Sequence, residues 1–385
     1  MASHGKIGYG RGQAYMAFPI HYRRIIVSFA FRSLTPIAAI ALAAVSLPAL
    51  AQSGSPIIGI DALREWNLVV LGNLNSSSEV EGRTFVGGNL TGNSSNYGIR
   101  PLAASPNGTP GLTVVGDING GHKNLNNGSG AIVGGNVNSG FNLNGSAQTV
   151  KVGGTISNTN VNQNTVLSGL GAKDPGFTVG LQQQKSQLSS SMASLSFDMG
   201  TLATNSKFVT QGNRGIFTAQ PNSDGMAVFN ITSADLDKIG EIQFNLNGAK
   251  TAIVNVTGQK ITLNDNFLGG TNNLGENVIW NFPDAEELKL TTAWGGSVLA
   301  PHADAQTGNY IQGSAVFGNL KQNGEMHIGT YKGGDIRPPG GGSSSGGGTS
   351  SGGATPIPEP GMFGLFALGV GGLIYARRRR AKRAE

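Results

Sequence analysis

The 385-residue sequence contains no cysteine. That excludes disulfides, thiol nucleophiles and every cysteine-based zinc site, so an exported form must hold together by packing and hydrogen bonding alone. Charged residues are only 12% of the chain and aromatics 7%. No acidic residue precedes Asp61. Histidines number five, and His122, His302 and His327 lack partners at metal-ligand spacing such as H-x-x-x-H. There is no G-x-S-x-G elbow, Walker sequence or EF-hand loop. We therefore expect no metal centre, no cofactor, no catalytic residues and no enzyme activity. What the chain has in abundance is glycine, 61 residues, accompanied by Asn, Ser and Thr, a composition of tight turns and short strands.

Both ends carry processing signals. Arg23, Arg24 and Arg32 precede the apolar run PIAAIALAAVSLPALA, which ends in the small-x-small triplet Ala49-Leu50-Ala51. This predicts a signal peptide over residues 1–51, cut by signal peptidase at the Ala49/Ala51 site, with Met16 as an alternative start. At the other end residues 361–376 are apolar and uncharged, then Arg377, Arg378, Arg379 and Arg380 follow. Sixteen residues of helix rise about 24 Å, short of a hydrocarbon core of about 30 Å, and snorkelling arginines make up the difference. A C-terminal transmembrane helix with its Arg-rich tail, residues 377–385, on the cytoplasmic side is the expectation. Residues 338–357, Gly/Ser/Pro-rich, read as a flexible linker.

Pro358-Glu359-Pro360, the short span and the terminal arginine cluster together resemble the PEP-CTERM sorting signal, here residues 358–385. The resemblance implies a Gram-negative bacterium, transient membrane anchoring by the C-terminal helix, and removal of that helix by the membrane enzyme exosortase. Release to the cell surface or extracellular matrix follows.

The formal net charge of +6 misleads about partners. Residues 1–51 hold five Lys+Arg and no acid, residues 361–385 hold six against one, which leaves 16 bases and 20 acids in residues 52–360. A mildly acidic ectodomain is not steered to phosphate backbones, so no nucleic-acid partner is expected.

Within the ectodomain, residues 52–337, short phrases recur: FVGGNL, VVGDIN, IVGGNV and VKVGGTI. Aligned on the β-branched residue before glycine, Val86, Val115, Val133 and Val152 are about 29, 18 and 19 residues apart, and Val298 to Val316 repeats the step. Such a period marks stacked units. We expect an all-β fold, a parallel β-helix (β-solenoid), with Gly and Asn at corners needing positive φ and with amides stacked in rows along NLNNGSG, NVNSGFNLNGS and NTNVNQNTV. A β-sandwich is the alternative. One segment breaks the period: Leu181, Leu188, Met192 and Leu195 have near-helical spacing, predicting a flanking α-helix over residues 179–195 after a turn at Asp174-Pro175. KFVTQ, GIFTAQ, MAVFNIT, EIQFNLN, TAIVNVTG and NVIWNF read as strands.

The stretches beginning WNLVVLGNLNSSSEVEGRTFVGGNL and AWGGSVLAPHADAQTGNYIQGSAVFGNL resemble the two ends of the choice-of-anchor A domain, over residues 60–332. That likeness implies an exported adhesin or surface-structural protein, in biofilm or matrix, and brings no catalytic residues.

Two close pairs of titratable residues are candidate ligands. Glu79 and Glu81, two apart, face one way in a strand and suit calcium with backbone carbonyls or a general acid/base pair, or are neutralised by Arg83 on the same face. His302 and Asp304 share a side if PHADA is a strand, but a solvated loop after Pro301 is preferred. Trp66, Trp280, Trp294, Tyr97, Tyr310 and Tyr331 are the aromatics available for sugar stacking, with core packing favoured for the tryptophans. The reading is an adhesin or exopolysaccharide-associated structural protein, with a polysaccharide- or ice-binding module and a β-helix polysaccharide-degrading enzyme as alternatives.

Overall fold

The computed structural model describes residues 55–336. The signal peptide, the linker and the sorting signal with its expected span all lie outside them. Among the described residues no helix is long and apolar enough to cross a membrane.

The described chain is strand-rich, with parallel pairing throughout its 15-stranded and 7-stranded sheets and one antiparallel pair, Lys207–Gln211 with Arg214–Thr218, in a 4-stranded sheet. Helices are few. The repeated phrases are the reason for the parallel order. Each pass of the chain lays down three short strands and returns one strand width along, about 4.8 Å. Thr84–Val86, Leu90–Thr91 and Ser95–Tyr97 form one such pass. Leu112–Val114, a bridge at Ile118 and Lys123–Leu125 form the next. Like residues then sit over like residues: Val86 pairs with Val114, Val114 with Val133 and Val133 with Val152. The alignment on Val115 is thus one residue off. Val115 occupies the slot of Gly87 and Gly134, and its N–H donates to Val86 O. Val298 likewise pairs with Ala315, and Leu299 with Val316.

These stacked side chains are the core. Leu68, Val70, Leu74, Val80, Val86, Leu112, Val114, Val133 and Val152 are all fully buried. Each is worth about 1.5–3 kcal/mol on leaving water, against roughly 1–2 kcal/mol of backbone entropy for every residue ordered. One pass therefore cannot stand alone, and stacking on both neighbours is required. In the second half the interior is aromatic: Phe217 stacks on Phe244 with centroids 4.8 Å apart, and Trp280 and Trp294 lie 4.9 Å apart.

The order of the passes does not follow the chain. From Leu68–Val70 the strands run outward in one direction to Thr165–Leu167. Met226–Thr232 then begins at the opposite end, and later strands work back until Ala315–Gln322 pairs with Leu68–Val70. The two halves join in the middle of the sheet. Asn67 is the rivet there: its Nδ2 donates to Gly313 O, 246 residues away, at 2.8 Å, and its Oδ1 accepts from Gly82 N–H at 3.0 Å.

The connection between the ends is the helix Pro175–Gly200. Its 26 residues span about 39 Å, the width of roughly eight strands. It is a turn longer at each end than the expected 179–195. The Asp174-Pro175 pair read as a preceding turn is the helix start: Asp174 Oδ1 accepts from Gly176 N–H at 3.0 Å and Pro175 occupies the first turn. Leu181, Leu188, Met192, Leu195 and Met199 bury against Val69, Phe85, Val115, Ile253, Ile279 and Leu299 on the outside of the large sheet.

Glycine acts in two ways. Gly120 and Gly140 have φ of 92° and 81°, as expected of corners. Gly87 and Gly134, in the repeated phrases, have no positive φ. There a Cβ would run into the carbonyl oxygen of Leu71 or Val115 on the neighbouring pass. Among the described residues every non-glycine at positive φ is asparagine: Asn127, Asn158, Asn162, Asn247 and Asn273.

Candidate functional site

The helix covers one side of the stack, so the exposed strand rows lie on the other two. On the first, one position of the repeat carries Asn or Asp in pass after pass. Asn73 N–H donates to Asn319 Oδ1 at 2.7 Å, Asn89 N–H to Asn73 Oδ1 at 2.9 Å, and Asp117 N–H to Asn89 Oδ1 at 2.8 Å. Asn136 N–H then donates to Asp117 Oδ1 at 2.6 Å and Thr155 N–H to Asn136 Oδ1 at 2.9 Å. At the far side Asn319 Nδ2 reaches Asp304 Oδ1 at 2.8 Å. The row crosses the join between the halves without a break. Each side chain stands in for a ladder carbonyl, which fixes its rotamer and spacing. Beside it runs a second row, Asn75, Thr91, Asn119, Asn138 and Ser157, with Asn138 Nδ2 bonded to Asn119 Oδ1 at 2.8 Å.

On the other exposed side the expected amide rows are present: Asn142 Nδ2 donates to Asn124 Oδ1 at 2.7 Å and Asn144 Nδ2 to Asn126 Oδ1 at 3.1 Å. Glu79 and Glu81 lie on this side, flanking the fully buried Val80. They do face one way, but each has its own partners. Glu79 Oε1 accepts from Asn96 Nδ2 at 3.1 Å. Glu81 holds Arg100 at 3.3 Å and accepts Ile328 N–H at 2.8 Å. Arg83 is not their counter-ion. It is buried on the opposite side, 3.4 Å from Glu65, with its guanidinium donating to Thr109 O and Ala103 O. Among the described residues no three His, Asp or Glu side chains converge at metal-binding distance.

The histidines go their own ways. His122 meets Asn158 O at 3.1 Å. His327 pairs with Glu325 at 2.7 Å and stacks on Tyr310 with ring centroids 4.5 Å apart. His302 and Asp304 do share a side, because PHADA belongs to the strand Ser297–Thr307 rather than to a loop, and Asp304 is engaged by Asn319. Trp66, Trp280, Trp294, Tyr97 and Tyr331 are all buried. Of the aromatics considered for sugar stacking, Tyr310 alone is partly exposed. What the exposed rows present is therefore hydrogen-bonding groups at fixed intervals.

A further amide row, not among those expected from the sequence, lies on the helix side. Asn230, Asn255 and Asn281 stack under the end of the long helix. Asn281 Nδ2 bonds Asn255 Oδ1 and Asn255 Nδ2 bonds Asn230 Oδ1, both at 2.8 Å. The second hydrogens of these amides go to helix-end carbonyls: Ser196 O at 2.8 Å and Met199 O at 2.7 Å, while Asn230 reaches Leu202 O at 2.9 Å. The detectable signal was an Asn in VFNIT, VNVTG and IWNF, 25 and 26 residues apart.

Residues 59–328, well over half of the chain, match the family described as "Putative Ice-binding-like adhesive domain", and residues 356–380 match the PEP-CTERM protein-sorting motif. No curated protein matches the chain, and no solved structure does.

Proposed function

The chain belongs to the ice-binding-like adhesive domain family, and on that premise we propose that it is an exported surface protein whose 52–337 domain is an adhesive β-solenoid. The likeness of its two ends to the choice-of-anchor A domain is compatible with this reading. The sorting motif implies processing by exosortase and export to the cell envelope. Signal peptidase would act first, at Ala49/Ala51. Exosortase would then act at Pro358-Glu359-Pro360, with Arg377, Arg378, Arg379 and Arg380 holding the span in place until it is removed.

The observation that carries the adhesive reading is the row Asp304–Asn319–Asn73–Asn89–Asp117–Asn136–Thr155, in which Asn319, Asn73, Asn89, Asp117 and Asn136 are locked by backbone N–H groups of the next pass and Asn319 Nδ2 holds Asp304. It makes a rigid polar comb that needs little ordering on binding, so weak contacts with a hydroxyl-rich polymer add up. Many copies on a cell multiply the effect. Exopolysaccharide is the ligand class this comb suits. Ice is the second reading, favoured by a polar residue recurring at one position of successive passes, Asn75, Thr91, Asn119, Asn138 and Ser157. Lys321 and Lys289 interrupt that side.

The test uses the full chain in detergent on immobilised exopolysaccharide from the producing cells. Asn75→Glu with Asn138→Glu places charge on the exposed row directly beside the comb, where a bound polymer would have to lie, and Gln183→Glu, at an exposed position of the long helix, places it on the helix side as a control. The double variant is expected to lose at least tenfold in retention with its circular dichroism unchanged, and the control to bind as wild type. Equal retention of all three proteins refutes the assignment. Ice-crystal shaping without polysaccharide retention would put the ice reading in its place.

A further inference from the structure

The two ends of the large sheet are finished differently. At one end the edge strand Met226–Thr232 is covered by its own chain. Asn205 and Ser206 N–H both donate to Val228 O, at 3.2 and 3.1 Å. Val228 N–H donates to Asn205 Oδ1 at 2.7 Å, and Asn205 Nδ2 reaches Met226 O at 3.0 Å. The chain then turns into Lys207–Gln211, whose antiparallel pairing breaks the parallel order. Among the described residues no strand finishes the other end. Thr165–Leu167 pairs with Thr149–Val152 on one side only. Thr165 N–H donates to Gln148 O at 3.0 Å, so the alternation of the ladder turns the N–H and carbonyl of Val166 to the open side.

The apolar interior is open there as well. Leu143, Ile156 and Val166 are only partly buried, although the residues they stack on, Leu125, Val137 and Val150, are fully buried. Val161 and Leu167 are 43% and 44% exposed. Edge strands are usually defended by lysine, proline or a bulge. Here residues 152–172 carry no charge and no proline. An unpaired backbone edge takes a strand, and a charge-free surface is one that an identical copy approaches without repulsion. The covered edge at the far end blocks head-to-tail extension of the large sheet, which leaves the open edge its own counterpart on another copy.

We propose that two copies join at this end about a two-fold axis, the strand Thr165–Leu167 of one pairing antiparallel with that of the other. Val166 then lies opposite the partner's Val166 and exchanges both backbone bonds with it, and Thr165 lies opposite the partner's Leu167. The open apolar end is covered in the same step. The dimer is independent of what the exposed polar rows bind.

Sedimentation equilibrium of the full chain in detergent tests this. Wild type is expected to be dimeric at micromolar concentration. Thr165→Lys with Leu167→Lys sets like charges opposite each other twice, and should weaken association at least tenfold with circular dichroism unchanged. Thr165→Lys with Leu167→Glu sets opposite charges at the same places and should restore it. That rescue separates this interface from damage to the fold. Association through the C-terminal segment would respond to neither pair. Monomeric wild type, a larger head-to-tail assembly, or a dimer that survives the lysine pair overturns the proposal. So does a lysine–glutamate variant as weak as the lysine pair, because the strands then do not meet in this register.

Discussion

Ser196 and Asn281, 85 residues apart, hold each other twice: Ser196 Oγ donates to Asn281 Oδ1 at 2.6 Å, and Asn281 Nδ2 donates to Ser196 O at 2.8 Å. The helix is thereby fixed in rotation and in height against the sheet. Apolar contact alone would leave both loosely specified, since packing of Leu and Met is non-directional. The last four carbonyls of a helix have no partner within it, and here the amide row serves one of them, Met199 O, together with Ser196 O just before and Leu202 O just beyond.

Asn281→Leu takes away the donor to Asn255 Oδ1 and leaves Ser196 O and Ser196 Oγ buried without their partners on the sheet. A loss of about 2–3 kcal/mol is expected, at the upper end for a buried hydrogen-bonded group. Urea unfolding with the slope unchanged would measure it. A loss below about 0.5 kcal/mol, the floor for a single net hydrogen bond, would mean that the row does not hold the helix.

Glycines of the repeat and glycines of the helix should respond oppositely to alanine. At Gly134 a Cβ meets Val115 O, a backbone atom that cannot move without shifting a whole pass, so Gly134→Ala is expected to cost about 2 kcal/mol or more. Gly180, inside the long helix with nothing within 4 Å of the added carbon, should gain up to about 1 kcal/mol as Gly180→Ala. Thermal unfolding of the two variants side by side decides it, and a Gly134→Ala protein as stable as wild type would refute the close-approach account.

Lys123 is fully buried, with its ammonium on the carbonyls of Gly92 at 3.2 Å and Asn93 at 2.5 Å and with no carboxylate. Burial lowers its pKa from 10.5 to about 8. The unfolded chain therefore binds the extra proton between about pH 8 and 10.5, so stability rises with pH across that window, and below pH 8 the cost of the buried charge is fully present. The difference is worth about 3 kcal/mol at most. Lys123→Met should be more stable than wild type at about pH 7, by about 1–2 kcal/mol once the two lost carbonyl bonds are counted, and the gap should close as the pH rises through that window. Unfolding curves of wild type and variant that keep a constant separation from about pH 7 to the top of the window would disprove this.

Much of the architecture was legible in the chain because every pass returns to the same surroundings. The recurring V-G-G-N phrase carries an inward valine, a glycine against a neighbouring carbonyl and an asparagine on the ladder, so the same residues recur at the same interval. Corners needing positive φ announced themselves as Gly or Asn. The long helix stood out because Leu181, Leu188, Met192 and Leu195 obey a different period, although its start was misread as a turn. The candidate surface was half legible. Amide rows were foreseen along residues 124–144, whereas the row through Asn73, Asn89, Asp117 and Asn136 was hidden inside phrases scanned for their valines and glycines.

The sequence by itself determined that this protein folds without disulfides, that it builds parallel strands from a short repeat, and that it bears a PEP-CTERM sorting motif over residues 356–380. These are properties of composition and local period, and they hold wherever the segments end up. Tertiary structure alone decided the order of the passes and the partners across the join. A repeat says what stacks but not which end meets which, and Leu68 pairs with Ala315 because a helix carried the chain back along most of the large sheet. The same applies to Asp265, whose Oδ1 is buried without a hydrogen-bond partner: its burial comes from the passes packed around it, and nothing in the letters nearby marks it.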